Sequence, residues 1–92
     1  MVRRLILKER LDSVAAAALR GELAEAEGGP VALDASGVAF LGGLCLELLM
    51  CARQVWSAAG HAFTVETPSE AFSENLTRFG LTPETFSAGD PA

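Results

Sequence analysis

Residues 31–49 read VALDASGVAFLGGLCLELL, an apolar strand that passes through a Gly-Gly turn into an apolar helix. Val31 to Leu33 carry no polar side chain, the pattern of a strand covered on both faces, as in a sheet layered with helices. Asp34 closes that strand at its carboxyl end, Ser36 and Gly37 mark a turn, and Val38 to Leu41 bring the chain back to the core. Gly42 and Gly43 allow backbone approaches that a Cβ forbids, so a second helix starts near Gly43 or Leu44. Whatever the protein does, this turn is placed to present it.

Helical spacing puts Leu44, Leu48, Cys51 or Ala52, Val55 and Ala59 on one inward stripe of that helix, with Gly60 as its stop. Leu46 and Met50 fall off the stripe, beside the polar cover of Glu47, Arg53 and Gln54. Two accounts of this excess stay open: a wide core contact beneath the first helix or the tail, or an exposed binding surface.

Upstream, Val2 to Leu7 form a short strand suited to a sheet edge. Asp12 and Ser13 then offer caps for an alanine-rich helix that runs to about Ala26 and stops at Gly28, Gly29 and Pro30. Ala15, Leu19 and Leu23 share its core face, with Ala16 and Ala26 beside them. Downstream, His61 to Val65 read as a strand, and Thr67-Pro68-Ser69-Glu70 predicts an N-cap at Thr67, proline in the first turn and a capping-box glutamate. Ala71 or Phe72, Leu76 and Phe79 supply the core face of this third helix, which Gly80 ends. Residues 82–92 read as a loosely packed tail in which Phe86 alone is expected to be fixed by packing. Strands thus alternate with helices in a single small α/β domain spanning 1–92.

At 92 residues, half of them apolar, the chain can build one core that excludes water but leaves no room for a large cofactor, so none is expected. The net charge is −5, unevenly spread. Residues 1–10 carry Arg3, Arg4, Lys8 and Arg10 against Glu9, whereas residues 11–92 carry three basic and eleven acidic side chains. The acidic body repels a phosphate backbone, and the aromatics do not alternate with basic residues, so nucleic acid is not an expected partner. No uncharged apolar run approaches membrane-spanning length and no secretory signal opens the chain, which leaves a cytoplasmic location.

Chemistry-bearing patterns are sparse. Cys45 and Cys51 lie about 9 Å apart at the standard helical rise, beyond disulfide reach. With no CxxC pair and only His61 as a further ligand, zinc spacing is missing. Nothing places His61 beside either thiol as a base, and Asp34 and Glu47 have ordinary turn and helix-surface roles. Gly42-Gly43 before a helix lacks the lysine and the full glycine spacing of a phosphate-binding loop. No enzyme is expected.

Four segments occur in a telling order: Leu11-Asp12 before the first helix, LDASGVAFLGGLCLELL over 33–49, AAGHAFTVETPSEAF over 58–72 and LTRFGL over 76–81. Together they resemble a STAS domain, the small α/β domain of bacterial anti-sigma factor antagonists and of the MlaB-like group, across roughly Leu5 to Leu81. The resemblance implies a central mixed sheet packed by helices, and a loop entering the second helix that contacts a serine-kinase anti-sigma factor. In the usual antagonist that loop reads Asp-Ser-Ser-Gly-Leu or a close variant, with a phosphorylatable serine at the helix start. The matching positions here are Gly42-Gly43-Leu44-Cys45-Leu46, which sets Leu44 at the acceptor position and Gly42 at the acidic one. Leucine has no hydroxyl to esterify, so the usual charge switch is missing. Asp34 matches the family's acid in the preceding strand, where it would orient the turn. Ser36, in the turn after that strand, has a hydroxyl that could itself accept phosphate, but a local hydrogen-bonding role is expected of a turn serine.

The expected function is a non-enzymatic protein-interaction module in bacterial signalling or transcriptional regulation, resembling an anti-sigma factor antagonist without its phosphoserine switch. Its expected partner-binding residues are Asp34, Gly42, Gly43, Leu44, Leu46, Glu47 and Met50. The partner in this reading is an anti-sigma factor or another kinase-like signalling protein. The MlaB-like alternative makes the chain an accessory subunit of a phospholipid or solute ABC transport complex, with a transporter ATPase as partner. A chemotaxis-associated role is a further alternative, and pairing of two copies stays open.

Overall fold

The computed structural model describes residues 2–82. Eight elements follow in the order β1 (Arg3–Ile6), β2 (Arg10–Leu11), α1 (Ala16–Ala26), β3 (Val31–Asp34), β4 (Phe40–Leu41), α2 (Gly43–Ala58), β5 (Phe63–Glu66) and α3 (Glu70–Arg78). The architecture is the expected α/β one. β3 is the middle strand of a three-stranded sheet ordered β1-β3-β5, so β1 takes the edge and the apolar VAL run takes the centre. Leu5, Leu33 and Val65 stand in register across it. A second sheet pairs β2 with β4 through Leu11 and Leu41. Every pairing among the described residues is parallel, as crossovers through α1 and α2 require.

The core lies where the helices cover these strands. Leu33, Leu49, Phe63, Phe72 and Leu76 are each 0% exposed. α1 buries Ala16, Leu19, Leu23 and Ala26, and its small residues let it lie close to its neighbours. The Asp12 carboxylate accepts the Ala15 N–H at 3.0 Å, serving the turn just ahead of the helix. Gly28, at φ +100°, adopts the left-handed conformation that lets the chain leave α1 for β3.

α2 differs from its expected orientation. Its buried residues are Cys45, Leu46, Leu49, Ala52 and Trp56, while Leu44 and Val55 are each 49% exposed and Leu48 is only partly buried. Two stripes share the helical spacing, one starting at Leu44 and the other one residue later at Cys45. The second wins because it carries Trp56, which buries far more apolar area than Val55. The indole N–H donates to the Gly29 carbonyl at 2.8 Å, and the ring meets Phe63 edge-on with centroids 5.7 Å apart.

The start of α3 also moves. Ser69, not Thr67, is the N-cap, accepting the Phe72 N–H at 3.0 Å through its hydroxyl. The same hydroxyl donates to the Val38 carbonyl, so it ties α3 to the loop after β3 while capping the helix. Thr67 instead has a positive φ of 43° and stands outside the helix with Pro68. At the other end, the Leu81 N–H reaches the Leu76 carbonyl and the Gly80 N–H the Thr77 carbonyl, both at 2.9 Å, the reciprocal pattern of a glycine-terminated helix. Phe79, the C-cap, has left the helical face and is 51% exposed, against the core position expected for it. Phe86 lies outside the described residues.

Candidate functional site

Asp34 ends β3 at 15% side-chain exposure and is committed to the turn behind it. One carboxylate oxygen accepts the Ser36 N–H at 3.0 Å, the Ser36 hydroxyl at 2.7 Å and the Thr67 hydroxyl at 3.3 Å. The other accepts from the Arg4 guanidinium at 3.1 Å, and Arg4 also lies 3.4 Å from Glu66. The amide and hydroxyl of Ser36, with Arg4 behind them, hold this carboxyl at about 2, well below its ordinary 3.8. Neighbouring strand ends of β1, β3 and β5 are thereby joined by one anion. Ser36 spends its hydroxyl on this local contact, as its turn position predicts.

Gly42 is pinned rather than displayed. Its N–H donates to the Leu11 carbonyl at 2.9 Å, and its own carbonyl accepts the Leu46 N–H at 3.0 Å to open α2. A Cβ there would stand 3.2 Å from the Phe40 ring and 3.3 Å from the Leu11 carbonyl oxygen. The Phe40 ring is in turn covered by the Arg10 guanidinium, 5.4 Å from its centroid. The first glycine of the turn thus docks the helix onto β2, and the second is open: nothing lies within 4 Å of a Cβ at Gly43.

From Gly43 onward the expected binding residues separate onto two flanks of α2. Gly43, Leu46, Glu47 and Met50 line a shallow depression completed by Phe79 at the end of α3. Leu46, expected off the core face, is 4% exposed and forms the floor, whereas Met50, at 40%, stands at the rim. Burial of Leu46 follows from the one-residue rotation of α2 that brings Trp56 inward. Leu44 belongs to the other flank, where it borders a groove with Ser13, Ala16, Ala17, Arg20 and Leu48. Asp34 and Gly42 join neither group.

Phe79 is the member the sequence reading misses. It stands directly before Gly80, and the residue ahead of a terminating glycine is the C-cap, already turning away from the helical face. That signal was present in the sequence.

The thiols have no chemical setting. Cys45 is buried and donates to the Asp12 carbonyl at 3.3 Å, and desolvation with the nearby Asp12 charge pushes its pKa up, away from the reactive thiolate. Cys51 is free and exposed. Among the described residues no three His, Cys, Asp or Glu side chains gather where they could hold a metal ion, and no helix is long and apolar enough to cross a membrane.

What the depression offers is therefore contact area around a helix start, with Glu47 as the one charged side chain among its lining residues. No curated protein and no solved structure gives a significant match to the chain. A family model described as "Mlab, STAS domain" matches residues 2–83, almost the whole length. The order of parallel strands, the helix-opening glycine turn and that match agree, and the chain belongs to the MlaB-like STAS family of non-catalytic protein-interaction modules.

Proposed function

We propose that this chain is an accessory subunit that docks on the ATPase of a phospholipid or solute ABC transport complex. The observation that carries the reading is the depression between α2 and α3, with its apolar floor at Leu46, its exposed rim at Met50 and Phe79, and Glu47 as the lone charge. An apolar centre with a sparse polar edge is the composition of a docking patch, and the family model that fits the chain is the one named for the MlaB group. Leu44 weighs against the signalling branch. At the position where that branch places its phosphoserine, this chain has a half-exposed hydrocarbon that cannot be esterified.

The test is native co-purification of the full chain from its own host, beside a Met50→Asp variant. An ABC ATPase is expected to accompany the wild type, and the variant, which forces an unpaired carboxylate into the patch, is expected to bind it at least about tenfold more weakly. Recovery of a kinase-like partner in its place would move the chain to the signalling branch. Undiminished ATPase binding by a folded Met50→Asp would remove the depression from the interface.

A further inference from the structure

The flank of α2 that faces α1 carries the larger exposed apolar feature. Leu44, Leu48, Cys51 and Val55 run along it, with Leu44 and Val55 each 49% exposed and Cys51 also open to solvent. Their spacing of four, three and four residues makes a continuous helical stripe. Beside it, α1 contributes Arg20, Leu23, Ala24 and Glu27 to the same groove as Leu48, Cys51 and Val55.

We infer that this face pairs with a second copy of the chain, α2 against α2 and α1 against α1, antiparallel about a two-fold axis. The stripe reads the same from either end: its midpoint falls between Leu48 and Cys51. An antiparallel second copy therefore lays Leu44 against Val55 and Leu48 against Cys51, then repeats both contacts by symmetry. The charges fit the same operator. Arg20 and Glu27 are exposed two turns apart on α1, with Leu23 and Ala24 between them, and neither has an ion-pair partner among the described residues. Antiparallel pairing sets Arg20 of one copy against Glu27 of the other, twice, whereas parallel pairing would oppose Arg20 to Arg20 and Glu27 to Glu27. Leu23 and Ala24 border Leu48 and Cys51 across the groove, so the centres of the apolar and the charged pattern coincide on one axis. This surface is independent of the α2–α3 depression and does not rest on the transport reading.

Sedimentation equilibrium of the full chain over a wide concentration range tests the pairing, with circular dichroism confirming the fold of each variant. The wild type is expected to convert from monomer to dimer as concentration rises. Arg20→Glu and Glu27→Arg are each expected to raise the dissociation constant about tenfold, and the double exchange to restore it. Leu48→Asp is expected to be monomeric throughout. A wild type that stays monomeric, a double exchange that fails to restore the dimer, or a folded Leu48→Asp that still dimerises would each overturn the inference. Should Leu48→Asp fail to fold, the charge exchanges at exposed positions decide it alone.

Discussion

Leu46 and Met50 share the α2–α3 depression but sit at different depths, and truncating each to alanine separates packing from docking. A buried leucine reduced to alanine costs about 2–5 kcal/mol, with the larger values where the cavity stays rigid and empty. Leu46 is 4% exposed at the floor of an open depression, where Met50, Phe79 and water can close over the lost volume. The lower part of that range, about 2–3 kcal/mol, is expected. For a domain with a total stability of about 5–15 kcal/mol, this is a large share and lowers the melting temperature by roughly 10–20 °C. Met50 is 40% exposed, so Met50→Ala is expected to cost about 1 kcal/mol or less while weakening partner binding. Urea titrations of both variants, with the slope checked against the wild type, give the stabilities; affinity is then measured below the onset of unfolding. A Leu46→Ala variant within about 0.5 kcal/mol of wild type would mean that the side chain is outside the core, and the rotation of α2 would be wrong.

Two further outcomes test how the turn is held. Ser69→Ala removes both the cap on Phe72 and the donor to Val38, and is expected to cost about 1–3 kcal/mol in urea titration; Ser69→Asp keeps a capping acceptor but loses that donor, so full recovery by aspartate would reduce Ser69 to a cap. The Asp34 carboxyl is depressed from 3.8 to about 2, so as pH falls the unfolded chain takes up its proton first. The contribution of Asp34 is full above 3.8 and lost as pH falls through about 2, and Asp34→Asn, which has no carboxyl to titrate, should flatten that acid limb of the stability curve. An unchanged acid limb in Asp34→Asn would show that other carboxylates govern it.

The elements legible in the sequence are those whose signals admit one solution. The apolar VAL run could only be a central strand, and Leu19 and Leu23 had no competing face on an alanine-rich helix. α2 was ambiguous because its first ten residues, 43–52, carry only one polar side chain, Glu47, so spacing alone allows two phases that differ by one residue, about 100° of rotation. Choosing between them needed the tertiary contact of Trp56 with Phe63 and the Gly29 carbonyl, which spacing does not encode. Thr67 and Ser69 posed the same problem on a smaller scale. Both can cap, and the observed cap goes with a long-range contact that local sequence does not encode, the Ser69 hydroxyl donating to the Val38 carbonyl some thirty residues away. Around the depression, the exposure of Gly43, Glu47 and Met50 was legible from local pattern, whereas the depth of Leu46 and the exposure of Phe79 depend on how α2 and α3 are rotated.

The rotation of α2 also determines what the protein can be asked to do at once. Turning Trp56 inward leaves Leu44 and Leu48 bordering α1 and places Gly43, Leu46, Glu47 and Met50 beside α3, so the two grooves share a helix but no lining side chain. Substitutions at opposite flanks act on separate contacts, and their effects on two binding events should add. A leucine at the helix start contributes apolar area whatever the state of the cell, because it has no group to modify. In the proposed pairing, occupancy of that flank follows chain concentration by mass action, with no covalent charge at Leu44 to set it. A phosphoserine there would have introduced nearly two negative charges beside an apolar stripe, and desolvating them would oppose burial of Leu48 and Val55 in any contact. The Ser-to-Leu difference from the usual antagonist thus changes more than a modification site: it removes the desolvation cost that would keep that face of α2 uncovered.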